Sequence, residues 1–211
     1  GMGLGLPVLR YAAERGLLRP VSSAKLAKSI PAHLRDPGNR WFGLSMRART
    51  IAYSPARVDA AKLGTYEGLA GPEWQGRLCL RTSKKVYNQS LVATMIAALG
   101  EQKAEQVVRG WVANLATDVF ANDTQLLEAI AAGQCDVGIV NTYYFGRIVK
   151  DRADFPVKLF WANQGAGGTH VNISGAGVTQ HTRQAVAATR FLEWLSAGPA
   201  QAHFAAVNME I

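Results

Sequence analysis

The tetrapeptide Asn141-Thr142-Tyr143-Tyr144 follows directly on the apolar run Val137-Gly138-Ile139-Val140. Neighbouring side chains on a strand point to opposite faces, so two adjacent phenols are hard to explain as core if the strand continues. Taken alone, such a pair more often means packing plus one hydrogen bond. If the strand ends before them, both turn into one cleft, and open α/β sheets bind ligands at the carboxyl ends of their strands. A third phenol sits in Val86-Tyr87-Asn88-Gln89-Ser90, which also follows a strand and opens a helix. The free N–H groups of a helix start, with Asn88, Gln89 and Ser90, suit an anion. The plainer reading makes Asn88 or Ser90 an N-cap and Tyr87 a surface aromatic. Arg47 and Arg49 share one face of a long strand; one reads as solvated, and the other suits bidentate capture of an anion. Several phenols with no base or nucleophile beside them point to a hard metal cation with tyrosine oxygen as ligand.

Other chemistries find little support. Gly165-Ala166-Gly167-Gly168 lacks the spacing of a dinucleotide-binding loop and reads as a flexible connection. His170 and His181 are isolated and read as structural. There is no HExxH, no GxSxG and no CxxC or Cys/His cluster, so neither an enzyme nor a zinc site is expected. The chain has 211 residues, a formal charge of +8 and 18% charged residues, which marks a basic globular protein. Its cations are dispersed, and the densest group (Arg35, Arg40, Arg47, Arg49) spans a turn and a strand, so no nucleic-acid partner is expected. No apolar run approaches the roughly 20 residues that span a bilayer. Gly1-Met2 reads as a tag remnant plus a start residue, and no signal peptide is visible. Cys79 and Cys135 fit either two buried thiols or one disulfide, and spacing does not decide between them.

The elements that must position these residues alternate between strand and helix, which indicates an α/β fold. Helices are expected over 9–17, over 24–30 behind Ser23, over 90–99 closed by Gly100, over 101–114, and over 123–132 between Asn122 or Asp123 and Gly133. Residues 145–150 begin another, and the last run from Thr179 through Trp194, with Gly198-Pro199 as a break. Strands are expected over 41–53, 77–81, 136–140, 157–161 and 169–174.

Four segments occur together and in order: Trp41-Phe42-Gly43-Leu44-Ser45-Met46-Arg47-Ala48-Arg49, Val86-Tyr87-Asn88-Gln89-Ser90, Asn141-Thr142-Tyr143-Tyr144, and Gly168-Thr169-His170-Val171-Asn172-Ile173-Ser174-Gly175-Ala176-Gly177. In that combination the chain closely resembles the periplasmic ferric-iron-binding proteins of bacterial ABC transporters. The resemblance runs from about Arg10 to the C-terminus. It implies an α/β periplasmic-binding-protein fold of type II topology, with two lobes and a hinge. Residues 52–168 would form the lobe carrying the tyrosines. Residues 3–51 would form a partial N-terminal lobe, to which 169–211 return, with hinge connections near 45–51 and 169–174. The family's phenolate ligands fall on Tyr87, Tyr143 and Tyr144. Its anion-facing arginine falls best on Arg47, with Arg49 as the fallback, and Asn141 matches a position that contacts the anion or braces the loop. Asn88 and Ser90 complete the expected anion or second-shell set.

The implied cargo is Fe³⁺ with a synergistic anion, carbonate or phosphate. A small trivalent ion suits hard oxygen donors. It also lowers the phenol pKa from about 10, so phenolates form with proton release. The implied partner is an inner-membrane permease, and the implied compartment is the periplasm. That oxidising setting favours a Cys79–Cys135 disulfide if their strands are neighbours. Family members carry an earlier strand–helix–strand that often supplies a further His or Tyr ligand, and more helix at the C-terminus. A truncated N-terminal lobe and a homodimer through it are therefore expected. Two other readings stay open: the same fold holding a small anion on Arg47, Asn88 and Ser90, and a truncated module with no cleft ligand.

Overall fold

A computed structural model of the chain describes residues 4–208, so the expectations for Gly1-Met2 and for the last three residues lie outside it. The described residues divide into two compact units: those up to Arg47 together with those from Asn172 onward, and Ala48–Val171. Two strands, β2 (Phe42–Tyr53) and β6 (His170–Ala176), carry the chain from one unit to the other.

In the first unit, β1 (Leu4–Gly5) pairs antiparallel with β6. Around them lie α1 (Leu6–Glu14), α2 (Ala24–Ser29), α7 (Ala185–Leu195) and α8 (Gly198–Asn208). The Ser23 hydroxyl accepts from the Leu26 N–H, which gives α2 its N-cap. Leu26, Ile30, Phe42, Val178 and Leu192 form its core, and Leu9, Ala13, Leu18 and Trp41 form a smaller cluster.

The second unit is built on a mixed sheet. β4 (Val137–Asn141) runs antiparallel to β2, with Arg49 opposite Asn141, and parallel to β3 (Leu78–Cys79). β5 (Lys158–Phe160) pairs β2 on its other side. Every residue of β4 is buried, which is why it reads as a continuous apolar run. Val137 and Ile139 face a core with Leu91, Met95, Val107, Trp111 and Trp74. Val140 faces the opposite core of Leu126, Leu127, Ile130 and Phe155. Between them, a Cβ at Gly138 would stand 2.5 Å from Leu126 Cδ2 and 2.9 Å from the Cys79 carbonyl oxygen, so only glycine lets the sheet approach this closely.

Four helices flank the sheet: α3 (Val86–Leu99), α4 (Glu101–Ala113), α5 (Asp123–Ala131) and α6 (Thr142–Asp151). Gly100, at φ 82°, turns α3 into α4 without a linker. The Asn122 side chain accepts from the Gln125 N–H and opens α5.

Several boundaries differ from the sequence expectation. The helix expected from Ser90 already begins at Val86. The one expected from Phe145 begins at Thr142, so both tyrosines lie in a first helical turn rather than in a loop. α1 starts at Leu6 because Pro7 sits in its first turn, where a missing N–H costs nothing. α8 likewise opens at Gly198-Pro199, where a break was expected. Residues 179–184 are turn and bend, and α7 starts only at Ala185. The strand expected over 77–81 narrows to two residues plus an isolated bridge between Arg81 and Phe120.

Cys79 and Cys135 are joined in a disulfide spanning 56 residues of sequence. It ties β3 to the entry of β4 and restricts the unfolded chain. Reduction, or a Cys79→Ala/Cys135→Ala pair, is expected to cost about 2–4 kcal/mol, read by urea denaturation with and without reductant.

Candidate functional site

The site is assembled around one buried carboxylate. Asp123 occupies the first position of α5 and is fully buried. Its Oδ2 accepts from Arg49 Nη1 at 3.2 Å and from the Asn141 backbone N–H at 2.8 Å, and its Oδ1 accepts from Arg81 Nη1 at 3.4 Å. The buried Arg49 guanidinium also donates twice to Asn88 Oδ1, at 3.0 and 2.6 Å, once to Asn141 Oδ1 at 3.1 Å and once to the Ile139 carbonyl at 3.0 Å. Burial pushes Arg49 below its ordinary pKa, and the Asp123 charge opposes that shift. Asn88 Nδ2 donates to the Arg81 carbonyl at 2.6 Å. The network thereby grips the start of α3 through Asn88 and the start of α6 through Asn141.

Those helix starts carry the phenols. The Tyr143 hydroxyl donates to that of Tyr87 at 3.5 Å, and the Tyr143 and Tyr144 rings lie 4.2 Å apart between centroids. Arg81 lies over the Tyr87 ring at 5.0 Å and the Tyr144 ring at 5.8 Å. Arg147, one helical turn beyond the pair, lies over Tyr143 at 5.0 Å and Tyr144 at 6.0 Å. The buried Tyr143 phenol is pushed well above its ordinary pKa, by burial first and then by the neighbouring Tyr144 and Tyr87 side chains. The Asn141 amide acts the other way and favours the phenolate. Without an added positive charge nearby, Tyr143 therefore stays a neutral phenol. Among the described residues no group of three His, Cys, Asp or Glu side chains could hold a metal ion.

A model of the bacterial extracellular solute-binding proteins matches residues 4–209. The chain belongs to that family. It is 46% identical to iron uptake protein A2 of Synechocystis over 96% of its own length and 61% of that protein's. Trichodesmium IdiA (FutA), solved in complex with iron and citrate, superposes with a TM-score of 0.90 at 42% identity, covering 98% of this chain and 67% of that one. A Bordetella ferric binding protein gives a TM-score of 0.90 at 33% identity over 98% and 67% of the two chains. This family member thus has the type II periplasmic-binding-protein fold, and it spans about three fifths of the curated relatives it matches.

Within the family member's second unit, Tyr87, Tyr143, Tyr144, Arg49, Asn88 and Asn141 come together. Ser90 turns instead to His170, with its Oγ 3.2 Å from Nε2. Arg47 belongs to the first unit, where Nη2 donates to Ser174 Oγ at 2.7 Å. Sequence reasoning missed Asp123, Arg81 and Arg147 as site residues. Asp123 read only as a candidate cap; Arg81 carried the strand-end signal, and Arg147 the four-residue spacing from Tyr143.

Two predictions follow from the electrostatics. Asp123→Ala leaves two buried guanidiniums facing each other and is expected to cost about 3–5 kcal/mol in chemical denaturation. His170, pushed down from 6.5 to about 4 by burial and then by Arg49, is neutral in the fold. Its neutral-state stability is complete above 6.5 and is lost as pH falls toward about 4, because the unfolded ring takes up a proton first. Denaturation midpoints measured across that window should fall for the unaltered protein and fall less for His170→Gln.

Proposed function

We propose that this chain is the iron-holding part of an ABC-transporter substrate-binding protein, binding Fe³⁺ through the phenolates of Tyr87, Tyr143 and Tyr144. The observation that carries the reading is the convergence of three phenols from two helix starts, with the Tyr143 hydroxyl 3.5 Å from that of Tyr87 and its ring against Tyr144. Three phenolates balance a trivalent ion, and a hard cation prefers such oxygens over the sulfur and imidazole that are missing from the cluster. The names of the relatives, iron uptake protein and ferric binding protein, support the same cargo.

Arg49, Asn88 and Asn141 brace the two helix starts. A synergistic anion completes the metal's shell, carbonate or phosphate by expectation, while the Trichodesmium complex pairs iron with citrate. Arg47 and Ser90 are the remaining anion-side candidates. In the whole protein, residues 52–168 would serve as the lobe that holds iron in the periplasm, for delivery to an inner-membrane permease. No comparison supports the expected homodimer.

A second reading, a small anion without iron, draws on two buried donors. Arg81 Nε and Asn141 Nδ2 have no hydrogen-bond partner among the described residues. Titration with ferric citrate separates the two. The iron reading expects a visible phenolate-to-iron charge-transfer band that Tyr143→Phe/Tyr144→Phe abolishes. A band that survives the double substitution, or stabilisation by phosphate alone with no band, contradicts it.

A further inference from the structure

Two arginines flank Asp123, and they are not equivalent. Arg49 spends its donors on Asn88, Asn141, Ile139 and Asp123. Arg81 makes one 3.4 Å contact with Asp123 Oδ1 and then turns to the phenols. It lies over the Tyr87 and Tyr144 rings, and the Tyr144 side chain favours its charged form. It is 6% exposed, yet its Nε has no acceptor among the described residues. A purely structural arginine looks different: Arg57 and Arg77 each direct Nε to Asp136 at 2.6 Å. Arg81 is instead a buried cation with donor capacity left over, set over two phenol rings.

We infer that Arg81, anchored by Asp123, is a positioning residue of the phenol cluster, fixing the Tyr87 and Tyr144 rings and donating to the Tyr144 oxygen when that oxygen carries charge. This deepens the ferric reading and rests on it. Asp123 sets the direction of the guanidinium, and the Arg81 carbonyl, held by Asn88, ties the same residue to the start of α3. A charge-assisted bond to a phenolate is among the stronger hydrogen bonds and specifies geometry as well as energy. A cationic donor also lowers the energy of the phenolate lone pairs, so charge transfer from that oxygen to iron needs more energy while Arg81 is present.

The test compares the unaltered chain with R81Q, each loaded with ferric citrate and then challenged with excess citrate. R81Q is expected to move the charge-transfer band to longer wavelength and to weaken iron retention by roughly 10–100-fold, the usual scale for outer-shell partners of a metal. Loss of packing alone would lower retention without moving the band. R81K supplies an independent arm should R81Q lose its cooperative melt. Its point charge cannot span both Asp123 and Tyr144, so retention again falls about 10-fold. A band that R81Q leaves in place, or R81K retention equal to that of the unaltered chain, overturns the inference alone. Absence of any band in the unaltered chain overturns the ferric reading and this inference with it.

Discussion

A carboxylate with no exposure to water, facing two guanidiniums, is the constraint on which the second unit depends. Among the described residues Asp123 is the one carboxylate that pairs with Arg49 and with Arg81, and all three groups are buried. Charges removed from water in this way hold only while every partner stays in place. The partners are the means of assembly. Asn88 belongs to α3, Asn141 ends β4, Ile139 lies within it, and Arg49 comes from β2. One residue at the head of α5 thus fixes the relative placement of the strand and the two helix starts from which the phenols project.

The charge balance of this assembly bears on its chemistry. Two cations against one anion leave one positive charge beside the aromatic cluster, and Arg147 adds another. Such surroundings favour phenolate, while burial and mutual hydrogen bonding hold Tyr143 neutral. On the ferric proposal, a trivalent ion entering among the oxygens would supply the charge that Tyr143 lacks, with proton release as it binds. Nothing softer than oxygen is needed, and the disulfide removes both sulfurs from play.

Much of this was legible in the sequence, and what was not has physical causes. β4 and β2 were readable because burial on both faces and plain alternation leave strong hydropathy patterns. The starts of α3 and α6 were misplaced because Val86-Tyr87-Asn88 and Thr142-Tyr143-Tyr144 are poor helix formers, and neither Lys85 nor Asn141 supplies a side-chain cap. The tyrosines were visible by type and position, since two adjacent phenols just past a strand end turn into one cleft. Asp123 was not, because its partners lie 74, 42 and 18 residues away and no local pattern encodes them. Arg47 and Arg49 looked interchangeable on one strand face, and only tertiary packing separates the residue inside the network from the one in the other unit.

The central claim is that the oxygens of Tyr87, Tyr143 and Tyr144 are joint ligands of one metal. Anomalous diffraction at the iron edge from crystals of the iron-loaded chain tests it most directly. The account predicts a single strong anomalous peak within bonding distance of all three phenol oxygens. A peak elsewhere, or one bonded to fewer than three of them, contradicts it.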